Sequence, residues 1–356
     1  VLAGGGTGGH VYPALAMGAA LQERGHRLVY LGDARRLEGR VVPQRGIPFH
    51  PVPAVQYPRR GLVAKLRFGI GLLRAVAASR GLLKEVGADV VLGVGGYISA
   101  PPVLAAWTLG IPRAVHEANV TPGMANRLCA RVADLVLLTY EQTRARLKTP
   151  APAEVVGCPV GRAILEGDAA AAAARYGLQP DRPTVLVVGG SLGAATINRL
   201  AVAMAQDPQR SYQLAIVTGP KYEASVREEL GELPEGVGLV GYEDRMPDAY
   251  ALASLVVCRA GSSTLSELTA VGLPSVLVPS PNVTDNHQEG NARGLEASGA
   301  AVVVVEKGLE LGATVDRVRG LVEDGAGLAK MAAAAKELGR LDTAERVAEL
   351  VEGLIR

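Results

Sequence analysis

His10 stands directly behind the run Gly4-Gly-Gly-Thr-Gly-Gly9, which apolar residues enter and a helix-period segment, residues 11–21, leaves. Glycine without a Cβ lets backbone N–H groups come close to an anion. The start of the following helix aims unsatisfied donors and the positive end of its dipole at the same point. A group that is negative, or becomes negative, belongs there. An imidazole at the mouth of such a loop can take or give a proton near neutral pH. A second constellation is Ala260-Gly-Ser-Ser-Thr-Leu-Ser-Glu267. It follows a strand-like run and opens a helix, offering hydroxyls and backbone donors to a diphosphate and a carboxylate one turn further in to a ribose diol. The generic chemistry is a nucleoside-diphosphate pocket. Gly189-Gly-Ser-Leu-Gly-Ala194 repeats the strand, glycine loop and helix of the N-terminus, and Gly95-Gly-Tyr97-Ile-Ser99 is a further glycine turn behind an apolar run.

Apolar runs at 27–31, 90–94, 112–116, 135–138 and 154–156 alternate with helical segments, the rhythm of a doubly wound parallel sheet. After a pause at Gly157-Cys-Pro-Val-Gly161, residues 162–176 read as one Ala-rich helix. A second series of strands follows at 184–188, 213–217, 237–240, 254–258, 275–278 and 300–304, and helices from 312 to the end cover an outer face. The expectation is an α/β chain of two similar Rossmann-like domains. Their loops at the carboxyl ends of the strands face a shared cleft. The boundaries are placed at 1–157 with 340–356, and at 158–339.

The chain has 356 residues, 44 glycines and only 4% aromatics, so its cores must be built from Ala, Val and Leu. A net charge of +2 without blocks of like charge gives no nucleic-acid tail. The three cysteines, Cys129, Cys158 and Cys258, share no metal spacing and suit a reduced cytoplasmic setting. None of the five histidines pairs at metal-ligand spacing and no Asp-x-Asp occurs, so neither a metal nor a resident cofactor is expected. No apolar run reaches the roughly 18 residues of a spanning helix. The chain opens at Val1 without Met, so a few residues of the first strand are expected to precede it.

Two other readings compete. Gly4, Gly6 and Gly9 satisfy GxGxxG, and Asp33 closes the second strand where a dinucleotide fold keeps its ribose-binding acid, the pattern of a nicotinamide-dependent oxidoreductase. Against it, His-Val-Tyr-Pro13 after the loop looks like a substrate site. A non-catalytic binding protein would keep the pockets without turnover.

The ordered set GGGTGGHVYPALA, LGVGGYISAPPVLAA, HEANVTPGMANR, VVGGSLGAATIN, CRAGSSTLSELTAVGLPSVLVP and DNHQEGNA spans nearly the whole chain. It resembles the MurG-type enzymes, which add N-acetylglucosamine from its UDP donor to lipid-linked muramyl-pentapeptide in peptidoglycan synthesis. The resemblance implies a GT-B glycosyltransferase fold, with UDP-GlcNAc on the C-terminal domain and undecaprenyl-linked acceptor on the N-terminal one. It implies Gly190 and Ser191 near the diphosphate, with Ser262, Ser263 and Thr264 at the next helix start. Glu267 would hold the ribose, the backbone at Tyr242 and Glu243 the uracil, and His287, Gln288 and Asn291 the sugar. Thr7, Gly8, Gly9 and Asn119 would approach the sugar, and His10 would be the base. Gly95, Gly96, Tyr97 and Glu117 would meet the acceptor. Arg162 resembles a family arginine, although Cys158 and Gly161 alter its segment, and Ala118 replaces a common Gln. His287 and Gln288 stand where relatives often carry two glutamines.

Residues 59–84 interleave Arg59, Arg60, Lys65, Arg67, Arg74 and Arg80 with Leu66, Phe68 and Leu72. Such a cationic amphipathic stretch suits an anionic headgroup layer. With a lipid-linked acceptor, the expected location is peripheral, on the cytoplasmic face of the cell membrane. Nothing in the sequence selects an oligomeric state.

Overall fold

The computed structural model describes residues 1–53, 61–190, 192–283 and 286–355. It divides into two compact units, Val1–Val160 with Leu341–Arg356, and Gly161–Arg340. The first unit runs β1 (Leu2–Ala3), α1 (Gly8–Glu23), β2 (Tyr30–Gly32), α2 (Leu37–Gln44), β3 (Phe49–Pro51), α3 (Leu62–Glu85), β4 (Val91–Gly93), α4 (Ala100–Leu109), β5 (Arg113–Glu117), α5 (Met124–Cys129), β6 (Leu135–Leu138) and β7 (Ala153–Val155). The second runs α6 (Ala169–Tyr176), β8 (Thr184–Val188), α7 (Ala195–Ala205), β9 (Gln213–Val217), α8 (Glu223–Leu230), β10 (Val237–Val240) and α9 (Met246–Leu252). It continues with β11 (Leu255–Cys258), α10 (Ser262–Val271), β12 (Ser275–Leu277), α11 (His287–Ala297), β13 (Ala301–Val303), α12 (Leu311–Glu323) and α13 (Gly325–Leu338). Helix α14 (Thr343–Glu352) then rejoins the first unit.

Both sheets are parallel throughout, in the orders β3-β2-β1-β4-β5-β6-β7 and β10-β9-β8-β11-β12-β13. Runs such as Leu135-Val-Leu-Leu138 are buried on both faces, as strands covered by helices on two sides must be. Strand order reverses between β1 and β4 in the first sheet and between β8 and β11 in the second. The loops leaving the strands diverge at such points and open a crevice beyond their carboxyl ends. The glycine segments after β1, β4, β8 and β11 all lie there. Small residues bring helix and sheet together: a Cβ at Gly18 of α1 would come within 2.9 Å of Leu28 and 3.0 Å of Leu2.

Four elements differ from the sequence reading. Helix α1 begins at Gly8, not residue 11, because Thr7 is extended and its carbonyl accepts the N–H groups of His10 (3.1 Å) and Val11 (3.2 Å). His10 therefore sits inside the first helical turn. Strand β3 was hidden by Pro48 and Pro51, which an edge strand tolerates. Residues 162–176 are a 3-10 turn, Arg162–Leu165, and a separate α6. Asp168 caps α6 by accepting from the N–H groups of Ala170 (2.9 Å) and Ala171 (3.0 Å), and Gly167 packs where a Cβ would strike Pro247. Finally, the C-terminal helices do not form one layer. The stripe Ala344, Val347, Ala348 and Val351 is buried in the α1 core, and the Thr343 hydroxyl donates to the Val156 carbonyl at 2.8 Å. Among the described residues, no helix is long and apolar enough to cross a membrane.

Candidate active site

At the first switch point, the glycine loop and the Gly95–Gly96 turn interlock. The Gly5 N–H donates to the Gly95 carbonyl at 3.3 Å, and a Cβ at Gly96 would collide with the Gly5 carbonyl. Gly95 has φ +96° and lies against the His10 ring, where its Cβ would be 2.6 Å from Cδ2 and 2.9 Å from Nε2. Both demands restrict these positions to glycine. Thr7 begins α1 without a side-chain cap; its Oγ1 instead lies 3.1 Å from His10 Nδ1. The structure thus brings together Thr7, Gly8, Gly9, His10, Gly95, Gly96 and Tyr97, the last opening a 3-10 turn.

The loop after β5 is built around Glu117. Its carboxylate is buried and accepts from the Asn119 N–H (2.9 Å), Asn119 Nδ2 (3.3 Å), the Gly123 N–H (3.0 Å) and Asn126 Nδ2 (2.9 Å). Burial raises its pKa, while these donors work in the opposite direction. Both oxygens are engaged from within, so Glu117 acts on its surroundings by bracing Asn119. Buried His116 contacts the Gly157 carbonyl through Nε2 (2.9 Å), and desolvation lowers its pKa.

At the second switch point, α10 starts behind Gly261 with no side-chain cap, and the buried Ser263 Oγ has no hydrogen-bond partner within the described chain. Its first turn, with Ser262 and Thr264, is built to receive an acceptor of hydrogen bonds. Glu267, one turn in, accepts from the Tyr250 hydroxyl through Oε2 at 2.8 Å. Part of this residue reaches the surface, yet the carboxyl itself is largely desolvated. Burial raises its pKa, and the Tyr250 bond opposes that. Asn291 of α11 is fully buried and donates to the Ala260 carbonyl at 3.3 Å, fixing α11 to the loop that enters α10. Gln288 Oε1 accepts from the Ser280 N–H at 2.8 Å, and His287 is the first residue of α11.

Gly190 has φ +88° in the loop before α7; Ser191 lies outside the described residues. Glu243 is buried and accepts from the Tyr176 hydroxyl (2.9 Å), the Arg245 N–H (2.8 Å) and Arg175 Nε (3.3 Å), while Tyr242 is half exposed. With its carboxylate turned inward, the main chain of this loop is held in place. Arg162 is exposed on its 3-10 turn.

Two carboxylates outside the quoted motifs, Glu306 and Glu38, also contribute. Arg259 Nη1 meets Glu306 Oε2 at 2.5 Å and the Val278 carbonyl at 3.0 Å, and Thr196 donates to Glu306 Oε1 at 2.5 Å. This network ties the start of α7 to the end of β11. Glu38, in the first turn of α2, is wholly buried beneath the N-terminal glycine loop and accepts from the Gly6 N–H at 3.0 Å. Asp33 is itself taken by Arg35, through Nε and Nη2 at 3.1 Å each. The acid and the loop that a nicotinamide dinucleotide would need are thus both engaged internally, and the oxidoreductase reading is not favoured.

On α3, Leu66, Arg67 and Arg74 are exposed, whereas Phe68 and Leu72 are half-buried. The exposed apolar stripe is Val63, Leu66, Ile70 and Leu73, at helical spacing. Arg59 and Arg60 lie outside the described residues.

Two parallel Rossmann-like units, with glycine loops and uncapped helix starts at their switch points, define a two-domain nucleotide-sugar transferase of the GT-B class. Residues 1–138 match the glycosyltransferase family 28 N-terminal domain and residues 184–347 its C-terminal domain. The UDP-N-acetylglucosamine–N-acetylmuramyl-(pentapeptide) pyrophosphoryl-undecaprenol N-acetylglucosamine transferase of Clavibacter sepedonicus is 43% identical, covering 100% of this chain and 96% of that protein. The transferase of the same description from Listeria monocytogenes serovar 1/2a is 37% identical, covering 100% and 99%. The crystal structure of Acinetobacter baumannii MurG aligns with a TM-score of 0.79 at 30% identity, over 98% of this chain and 97% of that one. The chain therefore belongs to glycosyltransferase family 28 and, within it, to the MurG-type transferases.

Proposed function

We propose that this chain transfers N-acetylglucosamine from UDP-GlcNAc to the 4-hydroxyl of undecaprenyl-linked muramyl-pentapeptide, with inversion at the anomeric carbon. The observation that carries the reading is a division of labour. An imidazole oriented by Thr7 stands at one switch point. An uncapped helix start followed by a desolvated carboxylate stands at the other. With His10 Nδ1 turned to Thr7, Nε2 takes the proton as the acceptor oxygen attacks C1. The bond from C1 to the diphosphate oxygen breaks, and UDP leaves carrying the electron pair.

Backbone donors of the loop at Gly190 and Ser191, and the α10 start with Ser262, Ser263 and Thr264, meet the growing charge, which leaves no step that requires a metal. Glu267 binds the ribose diol. The main chain at Tyr242 and Glu243 reads the uracil, held by the inward Glu243 carboxylate. His287 and Gln288 contact the sugar, supported by Asn291. Arg162 lies near the donor diphosphate. Asn119, braced by Glu117, approaches the sugar together with Thr7, Gly8 and Gly9. The Gly95–Gly96 turn and Tyr97 hold the acceptor. The N-terminal unit, 1–157 with 340–356 in the sequence reading, thus takes the acceptor, and 158–339 the donor.

The protein works as a peripheral protein on the cytoplasmic face of the membrane, through α3. Its exposed apolar stripe, Val63, Leu66, Ile70 and Leu73, is accompanied by the exposed cations Lys65, Arg67 and Arg74. Half-buried Phe68 and Leu72 stand nearer the protein side of this helix. The test is UDP release from UDP-GlcNAc with and without a short-chain muramyl-pyrophosphoryl lipid, in chelator. Acceptor-dependent release supports the reading; release that needs added Mg²⁺ or Mn²⁺ refutes the metal-independent mechanism.

A further inference from the structure

The N-terminal glycine loop calls for an anion, and the chain supplies one itself. Glu38 is fully buried, and both of its oxygens accept main-chain donors: Oε2 the Gly6 N–H at 3.0 Å and Oε1 the Asp33 N–H at 3.2 Å. No Arg, Lys or His among the described residues forms an ion pair with it. It stands in the first turn of α2 and accepts from the residue that precedes the Thr7 cap of α1. The surrounding glycines fit this occupant. A Cβ at Gly5, where φ is +148°, would collide with the Glu38 carboxylate, and one at Gly32 would lie 2.8 Å from its Cγ.

We propose that Glu38 is the anion around which the first glycine loop is folded, and that it is a positioning residue for proton transfer by His10. The path is short. Glu38 holds the Gly6 N–H, the next residue is Thr7, and Thr7 Oγ1 contacts His10 Nδ1 at 3.1 Å. On the other side Gly5 donates to the Gly95 carbonyl, and Gly95 backs the His10 ring. A phosphate brought to the Gly6 N–H would meet this carboxylate, so the two glycine loops are not equivalent: the loop after β1 orients the base, and the segments after β8 and β11 receive the diphosphate. This inference rests on the transferase reading above.

The test is Glu38→Gln, which keeps the shape but turns an amide NH₂ toward one of two main-chain donors. Expected is a fall in kcat of roughly 10–100-fold, the scale of a misplaced catalytic group, with KM for UDP-GlcNAc and UDP affinity within about twofold. The His10 ¹⁵N resonances, assigned by their loss in His10→Asn, should shift in Glu38→Gln. Gly5→Ala presses on the same carboxylate from the other side and should give the same pattern; it decides the matter if Glu38→Gln does not fold. Near-normal kcat with unchanged His10 resonances overturns the proposal, as does a parallel loss of kcat and UDP affinity. Wild-type protein that shows no acceptor-dependent UDP release would instead sink the transferase reading, and the resonance comparison would still decide the role of Glu38.

Discussion

Replacing Glu267 with Ala perturbs two things that can be separated. Oε2 holds the Tyr250 hydroxyl at 2.8 Å, and Tyr250 is buried, so the substitution strands a polar group at a cost of about 1–3 kcal/mol in stability. The remaining acceptor capacity is what the ribose diol would use. A hydrogen bond to a charged group contributes about 1.5–3 kcal/mol, so UDP should bind roughly 10–150-fold more weakly. Glu267→Gln keeps an acceptor for Tyr250 and should recover most of the stability while binding UDP less well than wild type. Calorimetric titration with UDP and with 2′-deoxy-UDP isolates the ribose contribution: deoxygenation should weaken wild type and leave Glu267→Ala nearly unaffected. Burial raises the Glu267 pKa, so UDP affinity should decline as pH falls through that raised value and protonation removes an acceptor. The native state also holds this proton more tightly than the unfolded chain does. The contribution of Glu267 to stability therefore falls as pH rises from its unfolded to its folded pKa. A UDP affinity in Glu267→Ala within twofold of wild type, or an unchanged 2′-deoxy penalty, would refute the ribose assignment.

Three other outcomes follow from the same geometry. His10→Ala should lower kcat by about 10²–10⁴-fold with UDP affinity nearly unchanged; near-normal turnover would reduce His10 to a spectator. In vesicle co-sedimentation, Val63, Leu66, Ile70 and Leu73 changed to Ser should weaken binding at every ionic strength, whereas Arg67 and Arg74 changed to Glu should remove the salt-sensitive part. Both variants sedimenting like wild type would make α3 an ordinary surface helix. Glu352, whose pKa is held down to about 2 by hydrogen bonds from Arg24 and then His26, contributes stability above its unfolded pKa, lost as pH falls toward about 2. Thermal melts of Glu352→Gln across that range should show a flatter acid limb than wild type, and an identical limb would contradict the assignment.

The sheets were legible because parallel strands buried on both faces write continuous apolar runs: 135–138, 184–188, 213–217 and 237–240 match observed strands at both ends. The glycine segments were legible because positive φ at Gly95 and Gly190, and close approach to His10 at Gly95, demand that residue. What stayed hidden depends on contacts distant in sequence. Glu38 is separated from Gly6 by 32 positions, and nothing in Arg35-Arg-Leu-Glu38 marks a carboxylate that will be fully buried. The Arg259–Glu306 pair spans 47 positions and joins two loops that only the strand order brings together. Residues 162–176 were misread although Gly167-Asp168 carried the signal of a helix break and a cap, which a long alanine run outweighed. In α3, the apolar positions were visible, but which of them face water was decided by packing against α4.

In the proposed reaction His10 takes the proton of the acceptor hydroxyl as UDP leaves in a single displacement. Its most direct test is the product formed from UDP-GlcNAc and a short-chain muramyl-pyrophosphoryl lipid, with UDP release and disaccharide followed together and the new linkage assigned by proton coupling at C1. The expected result is one UDP for each β-linked disaccharide, with formation of both lost in parallel in His10→Ala. An α-linked product, or UDP released at the same rate without the acceptor, would contradict it.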